Sequence, residues 1–465
     1  MRVPLSWLRL FVPGLVATGD ELAVALIAAG LEVEQVEQHG DLAKVVVGRV
    51  LDVEELTEFK KPIRFCHVDT GTAVREVVCG ATNFAAGDLV PFALPGAVLP
   101  GGFEIATRRT YGRTSDGMIC SAAELGLADS STGILVLETG QLGQDIVELL
   151  GLRDEVLDIA ITPDRGYALS IRGVAREAAT AFDLPFQDPG VRDTPPADGG
   201  YEVRLVDAGC DRFVARVVRG VDPTALSPAW LQRRLVLAGM RPISLVVDVT
   251  NHVMLEVGQP LHGYDLATLQ GPVVVRRAQA GEKLTTLDGQ QRLLHPADLL
   301  ITDDSGPIGL AGVMGGASTE ISGSTTDVLV EAAHFAPSSV TLTARRHRLP
   351  SEASKRFERG VDSSLPAVAA DLAVQLLVEL GGGTAGPISD VDQRVPWPPV
   401  RMPVGLPGRV AGLEYSRGTV TRRLEQVGCT VSGKEVLEVS APSWRPDLRG
   451  PADLVEEVIR LEGYD

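Results

Sequence analysis

The residues best suited to chemistry stand between positions 250 and 331. Asn251 and His262 bracket a polar stretch of RPISLVVDVTNHVMLEVGQPLHGYD, and Gly309, Gly312, Gly315 and Gly316 punctuate LLITDDSGPIGLAGVMGG. Glycines in such a run let backbone N–H groups approach a ligand or one another. Glu331 sits within the apolar run VLVEAAHF. Pointing inward, its carboxylate needs a hydrogen-bond partner; in the opposite register it faces solvent. The chain has no Ser-His-Asp order and no metal cluster that would imply a protein nucleophile.

A second group lies in APSWRPDLRGPADLVEEVIRLEGYD. Asp453, Glu456 and Glu457 fall at helix spacings of three and four, so Asp453 and Glu457 share a face, and Asp447 comes from the preceding turn. An oxygen-only set of this kind suits Mg2+ better than a soft metal. The same carboxylates also serve simply as stabilisers of a first helical turn.

Several separately folded supports must hold these residues. A chain of 465 residues exceeds one comfortable hydrophobic core, and its 50 glycines and 30 prolines favour many strands and tight turns over a helical bundle. Residues 1–40, with 151–200, read as a small N-terminal α/β domain. There Ser6 and Trp7 open a short helix, Asp20 caps a second ended by Gly30, and LEVEQVE alternates as a strand. Residues 41–150 are short strands between Gly, Pro and Asn turns, the pattern of a small closed barrel. A large mixed α/β domain is expected over 201–390, flanked by Gly/Pro-rich connections, and a small α+β domain over 399–465.

The formal charge of −18, from 61 acidic and 43 basic residues, excludes a uniformly basic nucleic-acid-binding surface but leaves room for local patches. Lys60, Lys61, Arg64, Arg108, Arg109 and Arg113 form one such set. Arg345, Arg346, His347, Arg348, Arg356 and Arg359 form another, either facing phosphates or pairing with Glu352 and Glu358. Five scattered cysteines without a CxxC pair read as reduced thiols. The N-terminus lacks a convincing signal-peptide cleavage site and no run of 18 apolar residues follows, so a cytoplasmic chain without a membrane span is expected.

The runs VVVGRVLDVEEL, REVVCGATNFAAGDLVPFALPGAVLPGGFEI and YGRTSDGMICSAAELGL resemble the tRNA-binding oligonucleotide-fold domain attached to several synthetases. LTEFKKPIRF departs from the His-Pro-containing segment usual in free relatives of that domain. RPISLVVDVTNHVMLEVGQPLHGYD, LTTLDGQ, LLITDDSGPIGLAGVMGG, LVEAAHF and SEASKRFERGVD resemble the editing domain of bacterial phenylalanine–tRNA ligase beta subunits. With the terminal signature, the similarity covers the whole chain. The implied fold is multidomain α+β: an oligonucleotide-binding β-barrel, a large mixed α/β editing domain and a small C-terminal α+β domain.

The resemblance implies hydrolysis of mischarged Tyr-tRNA(Phe), with Thr250, Asn251 and His262 lining the pocket and the Gly312–Gly316 loop, including Gly315, opposite. Glu331 matches the acceptor for the phenolic hydroxyl of a mischarged tyrosine. Asn251 and His262 are expected to position substrate and water, and His262 either does or does not also transfer a proton. Asp447, Asp453, Glu456 and Glu457 match magnesium ligands near an interface with an alpha subunit, which would bind ATP and phenylalanine and make the aminoacyl bond. The expected assembly is a two-alpha, two-beta heterotetramer that binds tRNA(Phe). A full-length beta subunit is expected to continue with a catalytic-like inactive domain and a further tRNA-binding domain, which makes this chain a truncated form or an incomplete natural product. The competing reading is a non-enzymatic tRNA-binding and assembly scaffold with an inactive editing pocket.

Overall fold

A computed structural model describes residues 1–40, 42–127, 131 and 133–463. Asp41, at an expected domain boundary, and Tyr464 and Asp465, at the close of the last signature, lie outside the described residues. The chain divides into two compact units: Met1–Gln35, Leu157–Leu231 and Ile243–Asp465 form one, and Val36–Val156 with Gln232–Pro242 the other. The short segment 232–242 keeps company with the barrel rather than with the mixed domain around it in sequence. There Arg233 donates to the backbone oxygen of Leu152.

The chain opens with β1 (Arg2–Pro4), α1 (Leu5–Arg9), α2 (Gly19–Ala28) and β2 (Glu32–His39). The cap of α2 is Thr18, not the expected Asp20. The Thr18 hydroxyl accepts the Glu21 N–H at 3.3 Å, while the Glu21 carboxylate takes the Thr18 N–H at 2.9 Å, a reciprocal capping box. The second unit is built on β3 (Val45–Glu55), β4 (Arg64–Asp69), β5 (Val74–Cys79), β6 (Leu89–Ala93) and β7 (Met118–Ile119), in the antiparallel order β7-β6-β3-β4-β5. Asp116 N–H donates to Glu76 O at 2.7 Å and Val78 N–H to Ser115 Oγ at 3.1 Å, which draws the chain before β7 to the free edge of β5. The barrel is thereby nearly closed around Val50, Cys66, Val68, Val77, Val90, Phe92 and Ile119.

Next in the chain come β8 (Asp154–Ala160), α3 (Ile171–Phe182), β9 (Val203–Leu205), β10 (Cys210–Arg219) and α4 (Leu245–Val257). Then come β11 (Leu261–Asp265), β12 (Val273–Arg277), β13 (Leu299–Asp303), β14 (Gly306–Leu310), β15 (Met314–Gly315) and β16 (Val328–Phe335). The strand β8 lies between β1 and β2. Two larger sheets, β11-β16-β10-β17 and β9-β12-β13-β14-β15, carry the mixed domain, with β17 spanning Thr384–Asp392. Helices α5 (Pro337–His347), α6 (Glu352–Phe357) and α7 (Pro366–Gly381) lie between β16 and β17 in the chain.

Both faces of β16 are covered, so its sequence reads as a nearly continuous apolar run. Val328 and Val330 pack with Val246, Val249 and Val253 of α4 and with α7, whereas Leu329, Ala333 and Phe335 point into a core shared with β12, β13 and β14. The period of two therefore turns Glu331 toward that second core. The chain ends with β18 (Val400–Pro403), α8 (Arg417–Gln426), β19 (Thr430–Gly433), β20 (Val436–Ser440) and α9 (Pro451–Glu462), the strands ordered β18-β20-β19. All five cysteines are free thiols. No helix among the described residues is long and apolar enough to cross a membrane.

Candidate active site

Strand β11 pairs antiparallel with β16 in a register that sets His262 opposite Glu331 and Tyr264 opposite Leu329. Directly opposed residues share a face, and so do residues two apart, so His262, Tyr264 and Glu331 project together. They line a cavity of about 90 Å³ whose other walls include Ile301, Gly309, Val313, Gly315 and Phe357. Gly315 makes room for the imidazole: a Cβ there would lie 2.5 Å from His262 Cε1 and 2.6 Å from Nε2. The ring of Tyr264 meets that of His262 edge-on, with centroids 4.5 Å apart and planes at 88°.

The inward setting of Glu331 meets the requirement that a buried carboxylate find a donor. The Tyr264 hydroxyl donates to its Oε2. Burial pushes the Glu331 carboxyl up to about 7, against a smaller opposing effect of that hydrogen bond. Burial pushes His262 down to about 4, so its imidazole is neutral at neutral pH, and its Nε2 is buried without a partner among the described residues. The site thus presents a carboxyl group poised between its two charge states and a neutral imidazole with an open nitrogen.

Thr250 and Asn251 are not brought into this lining. Both belong to α4, whose apolar side packs on the other face of the sheet, and the Thr250 hydroxyl is turned back to Val247 O at 2.8 Å. Tyr264 is the member that sequence reasoning missed. The signal was present in HGYD, where alternation along a strand carries position 264 to the side of 262.

Residues 209–382, which contain the cavity's strands, match a family model described as "B3/4 domain". Residues 400–464 match "tRNA synthetase B5 domain" and residues 45–145 "Putative tRNA binding domain". The phenylalanine–tRNA ligase beta subunit of Streptomyces avermitilis is 59% identical over 482 residues, an alignment covering 100% of this chain and 58% of that protein. Those of Thermobifida fusca and Nocardia farcinica are 57% and 54% identical, again over 100% of this chain and 58% of theirs. The chain belongs to the bacterial phenylalanine–tRNA ligase beta-subunit family. It spans 58% of the length of these relatives.

In this beta-subunit chain the four carboxylates expected to hold magnesium do not fit that ion. Glu457 is fully buried and saturated by guanidinium groups: Arg445 donates to both of its oxygens at 2.9 and 3.0 Å, Arg460 donates at 2.7 Å, and Arg165 adds a further bond. Burial raises its pKa, but Arg445, then Arg460 and Arg165, outweigh burial and hold the carboxyl well below the usual carboxylate range. Glu456 pairs with Arg165 at 2.9 Å and Asp447 with Arg445 at 2.6 Å. Asp453 accepts the N–H groups of Arg449 and Gly450 at 2.9 and 2.7 Å, the helix-start role left open by the sequence. Among the described residues no group of three or more His, Cys, Asp or Glu side chains could hold a metal. A dication would have to displace guanidinium groups already in place.

The basic stretch after the cavity is divided in the same way. Arg346 and His347 pair with buried Asp298, Arg356 pairs with Glu352 at 2.7 Å, and Arg359 donates to Ile161 O at 2.9 Å. Arg345 and Arg348 are exposed. On the barrel, Arg64 is tied to Glu55 and to the carbonyls of Thr82 and Phe84, and Arg113 to Glu54. Lys60, Lys61, Arg108 and Arg109 are exposed there beside Phe59 and Tyr111, whose rings meet edge-on at 4.8 Å.

Proposed function

We propose that the cavity of His262, Gly315 and Glu331 hydrolyses the ester of Tyr-tRNA(Phe), and that the chain is the proofreading and tRNA-positioning part of a phenylalanine–tRNA ligase. The observation that carries this reading is Glu331, a carboxyl group buried in an apolar strand and turned into a cavity opposite a neutral histidine. An acceptor at that depth raises the cost of an empty pocket and is met by a ligand that brings a hydroxyl donor. A pocket that selects phenylalanine by shape rejects an added hydroxyl poorly, whereas a second pocket that bonds the hydroxyl discriminates by as much as about 10⁴-fold. Phenylalanyl ester in this pocket leaves the carboxyl without its second donor.

In the reaction, the oxygen of a water molecule bonds to the ester carbonyl carbon and the bond from that carbon to the terminal ribose oxygen breaks. One proton of the water ends on the ribose oxygen and the other leaves as the released tyrosine ionises. Neutral His262, with Nε2 open, orients the water and the ester by hydrogen bonding. The glycine at 315 holds that nitrogen free of a side chain.

Synthesis of Phe-tRNA(Phe) from ATP and phenylalanine, with its magnesium, belongs in this reading to the alpha subunit of a cytoplasmic two-alpha, two-beta heterotetramer. Replacing Glu331 by Ala tests the reading: tyrosine release from Tyr-tRNA(Phe) should fall by about 100-fold or more, as expected for loss of a charge-assisted bond in a buried site. Tyrosine release unchanged in Glu331→Ala would refute the assignment.

A further inference from the structure

We propose that Tyr264 is a specificity-determining positioning residue of this cavity: by donating its hydroxyl hydrogen to Oε2 of Glu331 it fixes the carboxylate and leaves Oε1 to accept the tyrosyl hydroxyl of the substrate. The inference rests on the reading of the cavity as a tyrosyl-ester hydrolase.

Three observations support it. Tyr264 is fully buried, and its ring occupies the apolar core of the two sheets together with Leu329, Ala333 and Ile301. A phenylalanine would fill that core equally well, and a buried hydroxyl without a partner is destabilising, so the hydroxyl is accounted for by Glu331 alone. Second, nothing else orients the carboxylate: the residue paired with Glu331 on β10 is Ala215, the one paired on β11 is His262, and Tyr264 makes the one hydrogen bond to the Glu331 side chain among the described residues. A glutamate side chain free to change rotamer would meet either a tyrosyl or a phenylalanyl ring without penalty. Third, the same Tyr264 ring stands edge-on to His262, so one buried side chain sets both the acceptor and the imidazole.

The titratable groups facing Glu331 are few. Tyr264 and the Cys210 thiol on β10 are pushed far above neutrality by burial first and by the nearby carboxylate second, and stay protonated. His262 is pushed down to about 4, and Asp303 on β13 is engaged by the Ser305 hydroxyl and the Gln270 N–H. Glu331 is accordingly the group whose titration the hydrolysis rate reports near neutrality, and loss of the Tyr264 donor moves that titration upward.

The test compares release of tyrosine from Tyr-tRNA(Phe) and of phenylalanine from Phe-tRNA(Phe) between pH 5.5 and 8.5, using full-length beta subunit assembled with its alpha subunit, for the wild type and Tyr264→Phe. The expected result is a drop in the tyrosine-to-phenylalanine ratio of kcat/KM of about 10- to 100-fold, the worth of one hydrogen bond to a charged group. The inflection of the tyrosine rate should also move to higher pH. A ratio and an inflection equal to the wild type's would overturn the role of Tyr264 while leaving the cavity assignment standing. Wild-type enzyme that releases both amino acids equally would overturn the cavity assignment itself, and this inference with it. Should Tyr264→Phe fail to fold, 3,5-difluorotyrosine in place of Tyr264, a stronger donor of similar shape, should move the inflection to lower pH; an unmoved inflection contradicts the proposal.

Discussion

His262 and Glu331 face each other across the antiparallel pair of β11 and β16, one ring kept neutral and one carboxyl raised to about 7 by the same burial. Under the proposed proofreading function, the tyrosyl ester requires the carboxylate form of Glu331 as acceptor. Its hydrolysis should therefore rise with pH through an inflection near 7, while His262 contributes no inflection between pH 5.5 and 8.5. In Glu331→Gln the inflection should vanish; rates of that variant that still rise through pH 7 would point to another group.

The same shift makes a stability prediction. Glu331 ionises at about 7 in the folded chain against an ordinary 4.5, so the unfolded chain gives up this proton first. Stability from the protonated group is complete below pH 4.5 and is lost as pH rises through 7, a loss approaching about 3 kcal/mol for this residue. Glu331→Gln should be more stable than the wild type at pH 8, with the difference shrinking toward pH 5, as followed by urea unfolding. An equal difference at both pH values would contradict a buried, protonated carboxyl.

Gly315→Ala places a methyl group within 2.6 Å of His262 Nε2 and must displace the ring. A misplacement of about 1 Å costs on the order of 100-fold in rate, so tyrosine release should fall by about that factor with little change in thermal midpoint. A variant with wild-type activity would show that the imidazole nitrogen is not where the reaction occurs.

In α9, Glu457→Gln leaves Arg165, Arg445 and Arg460 facing one another without their shared carboxylate. Breaking a buried ion cluster from one side costs about 3–5 kcal/mol, which should appear as a markedly lower denaturant midpoint. A chelator should leave the midpoint of this chain unchanged. A chelator-induced drop reversed by Mg2+ would restore the metal reading of Asp447, Asp453, Glu456 and Glu457.

On the barrel, Lys60→Ala with Lys61→Ala removes two exposed charges and should weaken tRNA binding and flatten its logarithmic salt dependence by about one to two. Arg64→Ala should instead lower stability, because that side chain holds Glu55 and two backbone carbonyls. Equal salt slopes for the wild type and the lysine variant would remove these residues from the nucleic-acid contact.

Gly315 and Glu331 stand out in their local patterns, a glycine-broken loop and an apolar strand with one acid. Those patterns leave the register of Glu331 open, and its grouping with His262 rests on the family resemblance, whereas the pairing of β11 with β16 sets the two side chains opposite each other. Tyr264 was hidden in the same strand because its role depends on a diagonal neighbour in β16, 67 positions away. The partners of the acidic set were hidden for a related reason. Helix spacing places Asp453, Glu456 and Glu457 together, but Arg165, which takes up Glu457, lies 292 positions earlier, and nothing local announces it. Thr18 displaced Asp20 as the cap of α2 because the reciprocal bond with Glu21 satisfies two backbone groups at once.

The most direct measurement is release of amino acid from Tyr-tRNA(Phe) and Phe-tRNA(Phe) by the wild-type chain, alone and with alpha subunit. Faster release of tyrosine by about 100-fold or more in either condition is the predicted result. Equal release of the two amino acids, or no tyrosine release in both conditions, would contradict the assignment of the His262 and Glu331 cavity to proofreading.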